Sequence, residues 1–374
     1  MNIYLDSRKI CKGDIYISIN GKNNGDKYIK DALRRGASFI LSENKGKYYV
    51  PNLKNNLNKI IIEKYNLKKY PKLIGISGTN GKTTLSYNLN RKLNEIGVKS
   101  ACITTIKNVK NSYYSLLTTP RNDDLIRILV DSYKKGIEYL IMEVSSIDYK
   151  EGRVNDMIFD LGILLEIDSD HLDYHKTLYS YHESKIDFIL SCNNFVYGRK
   201  NIYSKIEESL HVKFKDYETI NPPGRDEIVH SSPLVVIDYA HTKSSYEYIL
   251  SKYRKKYDSR LICLFGFGGN RDKSKRREII DVIKRYCDLM IYTNDNPRFE
   301  NPKKIIYPYI KKGEKIKIIL DRKKAINYAL SILKDNDVLL IIGKGHEDYQ
   351  IIKDKRIFFN DKMVVNEYFM NDKS

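Results

Sequence analysis

The chain has 374 residues, of which 41% are apolar and 30% are charged, a balance that excludes a disordered protein and predicts two or three folded domains. The formal net charge of +19 favours anionic ligands, but solvated lysines alone could account for it and no nucleic-acid-binding motif accompanies it. The 5 cysteines are scattered without a C-x-x-C pair, which argues against a disulfide framework and a zinc site. The chain opens on polar residues and has no apolar run of about 20 residues, so we expect a cytoplasmic protein without a membrane segment.

Residues 1–70 predict a small α/β module. The stretch "GDIYISI" (13–19) alternates like a strand, and "YIKDALRRGASFIL" (28–41) predicts a helix followed, after Gly36, by a short strand. The next stretch, "NKIIIEKYNLKKYPK" (58–72), is polar and contains a proline. It is typical of a linker to a second domain.

From Pro71 the pattern changes to strands alternating with helices, which predicts a parallel, doubly wound sheet in a central domain of residues 71–231. The strand candidates lack alternation, as expected for strands buried on both faces. They are "KLIGIS", "SACITTI", "GIEYLIMEVSS" and "DLGILLEI", with "TLSYNLNRKLNEIG" as the first helix.

A third block, residues 232–374, predicts a second doubly wound sheet. Its functional loops should lie where the strands end, because ligands of open α/β sheets bind at the carboxyl edge. The five strand candidates are "PLVVIDYA", "RLICLFGFGG", "DLMIYTND", "KIKIILD" and "DVLLIIGKG".

A phosphate-binding loop is predicted at "GTNGKTT", between a strand and a helix, where backbone N–H groups converge on an anion. Lys82 would reach the β- and γ-phosphates and the Thr83 hydroxyl would ligate Mg²⁺. The strict motif would place glycine at position 76, which is isoleucine, so the loop is a variant. The predicted nucleotide site comprises Gly78, Thr79, Asn80, Gly81, Lys82, Thr83 and Thr84.

Two further features suggest metal chemistry near this loop. Glu143 ends a buried strand and is placed to hold Mg²⁺, although a solvated glutamate would look the same in the sequence. The stretch 168–190 contains His171 and Lys185 but no H-E-x-x-H spacing, so zinc is not indicated. If the residues after Thr177 are helical, Lys185 lies two turns along and could approach the nucleotide; a polar amphipathic helix is the alternative.

From "GTNGKTT" onward the sequence resembles the Mur ligases, the ATP-dependent amide ligases of cell-wall precursor synthesis. Three later blocks, "FGFGGNRDKSKR", "TNDNPRFENP" and "GKGHEDYQ", each follow a predicted strand and resemble the amino-acid-binding loops of the MurE type. The resemblance implies the three-domain Mur ligase fold: an N-terminal uridine-nucleotide-binding α/β domain, a central P-loop domain and a C-terminal Rossmann-like domain.

The resemblance also implies roles for individual residues. Arg225, Asp238 and His241 would contact ATP, and His171 with a carbamylated Lys185 would join Thr83 and Glu143 in holding Mg²⁺. The UDP-sugar-peptide would contact Leu5, Ser7, Thr118, Thr119, Ser145, Glu151 and Arg153. The amino acid would contact Arg271, Asp295, Asn296, Arg298, Gly343 and Glu347.

The function implied is addition of meso-diaminopimelate to UDP-N-acetylmuramoyl-L-alanyl-D-glutamate through an acyl phosphate, with ATP and Mg²⁺ as cofactors. Catalysis would fall to Lys82, Glu143, His171 and Lys185, which neutralise and position charge rather than act as nucleophiles. Arg298 could grip the distal carboxylate that diaminopimelate has and lysine lacks. The partners we expect are these small molecules, without nucleic acid or membrane insertion, and the protein is expected to be a monomer.

Three departures from the family pattern stand out. Ile147 replaces the histidine after E-V-S-S, Glu151 replaces a glutamine, and residues 200–222 are too few for the family's further strands and its adenine-reading helix. These departures keep two alternatives open: a ligase of the same fold with a different acid or amine, and a non-catalytic nucleotide-binding homologue. The presence of Lys82 and Lys185 argues against the second alternative.

Overall fold

The computed structural model describes residues 2–20, 24–65, 70–310 and 315–371. They belong to two compact units. Unit 1 comprises Met1–Ile167 and Thr177–Glu218, and unit 2 comprises Asp168–Lys176 and Thr219–Ser374. Among the described residues, none of the helices has the length and apolar character needed to cross a bilayer.

The elements of the described chain alternate between strand and helix for most of its length. The strands are β1 (Ile3–Tyr4), β2 (Ile15–Ser18), β3 (Phe39–Ser42), β4 (Lys72–Ser77), β5 (Ser100–Thr104), β6 (Ser112–Tyr114), β7 (Tyr139–Glu143), β8 (Leu161–Leu164), β9 (Asn194–Tyr197), β10 (Glu227–Ser231), β11 (Leu234–Asp238), β12 (Leu261–Phe265), β13 (Leu289–Tyr292), β14 (Ile316–Ile318), β15 (Val338–Ile342), β16 (Tyr349–Ile352) and β17 (Lys355–Phe358). The α-helices are α1 (Ile29–Arg34), α2 (Leu57–Lys64), α3 (Lys82–Glu95), α4 (Asn122–Lys134), α5 (Ser146–Lys150), α6 (Leu172–His175), α7 (Leu178–Leu190), α8 (Ile202–Leu210), α9 (Lys243–Lys256), α10 (Ser274–Tyr286), α11 (Pro302–Ile306), α12 (Arg322–Ser331) and α13 (Asp361–Asn371).

In unit 1, the N-terminal module is a parallel sheet in the order β1-β2-β3 with α1 between β2 and β3, as the sequence predicts. The linker predicted at 58–72 is wrong where the structure describes it. Residues from Leu57 to Lys64 form α2, and Leu57 and Ile61 are buried in the hydrophobic core of the unit. The helix forms because Leu57 and Ile61, four residues apart, share a face that is buried, and residues 66–69 lie outside the described range.

The central sheet of unit 1 has the order β6-β5-β7-β4-β8-β9 and is parallel throughout. The predicted doubly wound sheet is therefore confirmed. β4 lies in the middle, and the register pairs its Ile76 with Glu143 of β7 and Ile163 of β8. The loops after β4 and β7 consequently leave the sheet at the same edge.

The segment after α8 is short. Between Leu210 and Glu227, all of it described, the chain forms neither helix nor strand. It is nevertheless held in place, because Lys92 donates to the backbone and carboxylate of Asp216 at 2.8 Å and Glu207 accepts from Phe214 N and Tyr217 Oη.

Unit 2 contains a sheet in the order β10-β11-β15-β12-β13-β14 and the antiparallel pair β16–β17. The five strands predicted in this block are present and mutually parallel, whereas β10 is an antiparallel edge strand. The two adjacent strands β12 and β15 consist entirely of apolar residues and are buried on both faces. This arrangement places the loops after β11, β12, β13 and β15 along one edge.

Candidate active site

The loop between β4 and α3 has the backbone of an anion-binding site. Gly78 has φ 142° and Gly81 has φ 89°, conformations that residues with a side chain rarely adopt. A Cβ atom on Gly78 would also lie 2.7 Å from Cβ of Leu165. Glycine is therefore required here, and the loop leads directly into the N-terminus of α3, where N–H groups favour a phosphate.

Two lysines contact this loop. Lys82 Nζ donates to the carbonyl oxygens of Gly78 and Thr79, each at 2.9 Å. Lys185 Nζ donates to Gly78 O at 2.8 Å, and its side chain is almost fully buried. The residues after Thr177 do form a helix, α7, and it brings Lys185 and Tyr181 against the loop; the Tyr181 hydroxyl lies 2.9 Å from Thr79 Oγ1.

Oxygen donors of the kind that Mg²⁺ prefers lie next to the same loop. Thr83 is in the first turn of α3 and Glu143 ends β7, and both are buried. Thr119 holds the strand end, because its hydroxyl donates to Glu143 O at 3.0 Å. Within the described ranges, no three His, Cys, Asp or Glu side chains group as a metal site. Lys185 shares unit 1 with Thr83 and Glu143, whereas His171 belongs to unit 2.

The predicted sugar-peptide residues Thr119, Ser145, Glu151 and Arg153 form one hydrogen-bonded group. Arg153 Nη1 donates to Thr119 O at 2.9 Å and lies 2.6 Å from Asp148 Oδ1, while its Nη2 lies 3.3 Å from Glu151 Oε2. Ser145 caps α5 and donates to Asp148 Oδ2 at 2.6 Å. This contact accounts for a glutamate at position 151, because Glu151 is an ion-pair partner of Arg153.

The remaining sugar-nucleotide residues also lie in unit 1. Leu5 follows β1, and its N–H donates to Asp123 Oδ2 at 3.1 Å, so the N-terminal module is fastened to α4. Ser7 is buried in the short 3₁₀ turn Ser7–Lys9. Thr118 is partly exposed in the loop before α4.

In unit 2, Asp238 ends β11 and accepts hydrogen bonds from Asp226 N at 2.6 Å and Ala240 N at 2.7 Å. Burial raises the pKa of Asp238, against the opposing charge of Arg225. The Arg225 guanidinium lies 4.1 Å from the centre of the Tyr239 ring and its Nη1 lies 3.3 Å from His346 Nδ1. Burial and the charge of Arg225 lower the pKa of His346 to about 3, so this ring is neutral at physiological pH.

Asp170, which sequence reasoning does not select, joins two of the predicted residues. Its Oδ2 lies 3.5 Å from His171 Nε2 and 3.6 Å from His241 Nε2, and its Oδ1 lies 3.0 Å from Lys275 Nζ. Burial opposes ionisation, but the contacts with His241 and Lys275 hold the pKa of Asp170 well below its ordinary value. The aspartate beside a histidine in "DSDH" is the signal that could have found it.

The predicted amino-acid residues lie on the loops after β12, β13 and β15. Arg298 has φ 52°, and its Nη1 donates to Gly269 O at 3.0 Å and Asn296 O at 3.3 Å. Burial and the positive charge of the exposed Arg271 lower the pKa of Arg298. Within the described part of the chain, no hydrogen bond engages Nε or Nη2 of Arg298, which leaves donors for a ligand carboxylate.

Glu347 lies at the centre of this group. Its Oε2 accepts from Asn296 Nδ2 and Lys344 Nζ, both at 3.0 Å, and Tyr349 Oη donates to Oε1 at 3.3 Å. Lys344 is fully buried and also lies 3.9 Å from Asp295, whose pKa is raised by burial. Sequence reasoning misses Lys344, because the glycine and the glutamate of "GKGHE" are the residues that match the family. Gly343 leaves room for Asp295, since a Cβ there would lie 3.0 Å from Asp295 Oδ2.

Two family models match the chain. Residues 76–224 match the Mur ligase middle domain, and residues 224–345 match the family described as Mur ligase, glutamate ligase domain.

Relatives match over nearly the whole chain. The UDP-N-acetylmuramoyl-L-alanyl-D-glutamate–2,6-diaminopimelate ligase of Clostridium tetani is 32% identical over 456 residues, covering 98% of this chain and 94% of that protein. The ligase of the same name from Aquifex aeolicus is 32% identical over 457 residues, covering 99% and 94%. Because these alignments are longer than the 374 residues of this chain, the relatives contain residues without a counterpart here.

A solved structure described as MurF ligase from Thermotoga maritima in complex with ADP has a TM-score of 0.67 and 17% identity, and the match covers 100% of this chain and 98% of that one. The similarity confirms the predicted α/β fold of the Mur ligases.

Proposed function

The chain belongs to the Mur ligase family, and from that premise we propose that it is the ATP-dependent ligase that joins meso-diaminopimelate to UDP-N-acetylmuramoyl-L-alanyl-D-glutamate in peptidoglycan precursor synthesis. The observation that supports this most is the loop from Gly78 to Lys82, where Gly78 and Gly81 have a positive φ that favours glycine and on which Lys82 and Lys185 converge. We propose the domain limits 1–70, 71–231 and 232–374, and a monomer acting on small molecules in the cytoplasm.

The loop fits a nucleotide phosphate on physical grounds. A Cβ on Gly78 would collide with Leu165, so glycine preserves the backbone path of the loop, and Lys82 donates to carbonyl oxygens in the manner in which it would donate to phosphate oxygens. ATP bound there supplies the phosphoryl group that activates the substrate carboxylate as an acyl phosphate. Thr83 and Glu143 fit Mg²⁺ by the chemistry of their oxygens, and a carbamylated Lys185 in the same unit would add a further oxygen ligand.

The chain's own residues act by holding charge in place, the main contribution expected in phosphoryl transfer. Lys82 would neutralise developing negative charge at the transferred phosphate. In unit 2, Arg225, Asp238 and His241 are proposed as nucleotide contacts, with Asp170 fixing the orientation of His241 and His171.

The amino-acid group in unit 2 suits a zwitterion with an additional carboxylate. Arg298 would bind that carboxylate through Nε and Nη2, with Arg271 adding positive charge. Glu347 would accept from the substrate ammonium while Lys344 and Asn296 hold its carboxylate in a fixed orientation. Lysine lacks the distal carboxylate, so this arrangement favours diaminopimelate.

A second candidate function, ligation of a different acid, is favoured by one observation. Arg153 already contacts Asp148 at 2.6 Å and Glu151 at 3.3 Å, so its charge is largely neutralised before any anionic substrate arrives. An acid with less negative charge than the muramoyl dipeptide would suit such a loop.

Incubation with ATP, Mg²⁺ and UDP-N-acetylmuramoyl-L-alanyl-D-glutamate tests the proposal, with meso-diaminopimelate or L-lysine added in parallel. Phosphate release and product mass are followed, and a Lys82→Met variant serves as the inactive control. We expect product with diaminopimelate and little with lysine. ATP binding without product from either amine would reject the proposed substrates and favour the second candidate.

A further inference from the structure

Arg121 is a cation that the proposed function has not used. It lies between the Thr118–Thr119 loop and the start of α4. Its side chain is partly buried, and its Nη2 atom is fully buried without a hydrogen-bond partner in the described ranges. A buried donor of a charged group left without an acceptor is costly, because it has lost its hydrogen bonds to water without gaining others. A ligand cannot reach the enclosed Nη2 atom itself, but the side chain is only partly buried, so the rest of the guanidinium can contact a ligand that brings an acceptor.

Asp6, the acidic residue between the predicted uridine contacts Leu5 and Ser7, already has an ion-pair partner in Arg8. Asp6 accepts from Arg8 Nε at 2.9 Å and Arg8 Nη2 at 2.7 Å. The pKa of Asp6 is lowered to about 2, chiefly by the hydrogen bond from Arg8 and with a smaller effect from the charge of Arg121. Arg121 is thus close enough to act on Asp6 electrostatically without being paired with it.

Arg121 is held at the junction between the N-terminal module and α4. Asp123, two residues further on, accepts from Leu5 N at 3.1 Å and from Arg127 Nη2 at 3.0 Å. Lys9 Nζ lies 2.7 Å from Asp124 Oδ1. These bonds fix the backbone beside Arg121 relative to the turn that carries Leu5 and Ser7.

The residues on the two sides of Arg121 are proposed to bind the two ends of one ligand. Leu5 and Ser7 would contact the uridine, and Thr118 and Thr119 would contact the sugar-peptide. In a UDP-sugar, the group between these parts is the diphosphate. We propose that Arg121 binds that diphosphate, whose oxygens match the fork of guanidinium donors; this inference rests on the proposed sugar-nucleotide site.

Binding of UDP, UMP and uridine to the full chain by calorimetry tests the inference. Arg121→Gln should weaken UDP binding roughly 10- to 100-fold, the range of a charge-assisted hydrogen bond, and leave uridine binding unchanged. Arg121→Lys, which keeps the charge but loses the fork, should give a smaller loss. Without ligand, Arg121→Gln should unfold at no lower temperature than the wild type, because it removes an unsatisfied donor.

Arg35→Gln is the matched control, since Arg35 lies in the same module but is exposed and pairs with Asp31 at 3.1 Å. Unchanged UDP affinity in both Arg121 variants would overturn the inference. So would a loss seen only with the complete UDP-muramoyl dipeptide, because the bound anion would then be a carboxylate of the peptide. The result is separable from the proposed function: UDP binding needs no turnover, and an inactive protein could still require Arg121 for UDP.

Discussion

Two glycine-rich turns follow strands at equivalent places in the two units, but the glycines serve different purposes. In the first turn, residues 78–81, Gly78 and Gly81 have positive φ, so the backbone conformation itself requires them. In the second turn, residues 266–269, another loop passes too close for a side chain. A Cβ on Gly266 would lie 2.5 Å from Thr293 O, and one on Gly269 would overlap Pro297 O.

The difference shows what each turn presents to a ligand. The first turn keeps its backbone open toward the N-terminus of α3, where an anion can bind. The second turn brings its backbone against the loop of Asn296 and Arg298, and Gly269 O accepts from Arg298 Nη1. Arg276 and Glu300 hold this packing, because Arg276 donates to Gly268 O and to both carboxylate oxygens of Glu300. Glycine thus shapes the proposed phosphate loop in unit 1 and allows the close packing that positions Arg298 in unit 2.

The largest expected effect is at the first turn. Lys82→Met should lower phosphate release about 10²- to 10³-fold, because it removes a fixed donor to developing charge. The KM for diaminopimelate and the unfolding temperature should not change. Lys72→Met, at the exposed start of the same strand β4, is the control. Equal rates of phosphate release by Lys82→Met and Lys72→Met would contradict the proposed role of Lys82 in the first turn.

A smaller and complementary effect is expected at the second turn. Arg298→Lys should raise the KM for diaminopimelate about 10- to 100-fold, since the guanidinium fork that matches a carboxylate is lost. The KM for ATP should stay as in the wild type. Arg277→Lys, in an exposed pair with Asp281, controls for loss of an arginine. A rise in the KM for ATP instead would show that the two turns do not divide the substrates.

Gly269→Ala tests whether the second turn is limited by packing. The added methyl group should displace the loop at Pro297, cost about 1–3 kcal/mol of unfolding free energy and raise the KM for diaminopimelate several-fold. Gly97→Ala is the control, because Gly97 has φ 85° but an added methyl group there would meet no atom within 4 Å. Gly97→Ala should cost about 1 kcal/mol without changing KM. A loss for Gly269→Ala no larger than that for Gly97→Ala in chemical denaturation, with the KM unchanged, would show that packing does not limit the second turn.

The smallest effect is expected for Glu300→Gln, and we expect it in the pH dependence of stability. Hydrogen bonds from Arg276 lower the pKa of Glu300 from 4.5 to about 2. Because the folded pKa is depressed, the ion pair stabilises the protein fully above pH 4.5, and this stabilisation is lost as the pH falls toward 2. The gap in unfolding temperature between wild type and Glu300→Gln should therefore narrow over that range. A gap independent of pH would show that the charge of Glu300 contributes nothing.

Much of the fold can be predicted because its signals are local. The strands β4, β7, β12 and β15 are continuous apolar runs, and each precedes a loop of polar or glycine residues. Helix α7 is predicted from its position after Thr177, whose side chain does cap it. The linker prediction fails from 58 to 64 because the surrounding lysines and asparagines make the segment look polar, whereas burial of Ile61 in the core of unit 1 stabilises it as a helix.

The sequence by itself determined the order of the elements and which loops leave the strand ends, since periodicity and glycine placement act over a few residues. The tertiary structure alone decided which residues distant in sequence contact one another. Asp170 meets Lys275 across 105 residues of sequence, and Lys344 meets Asn296 across 48. Whether Arg121 finds an acceptor depends in the same way on distant residues. Such pairings depend on which sheet edges and loops the fold brings together, and no local pattern encodes that.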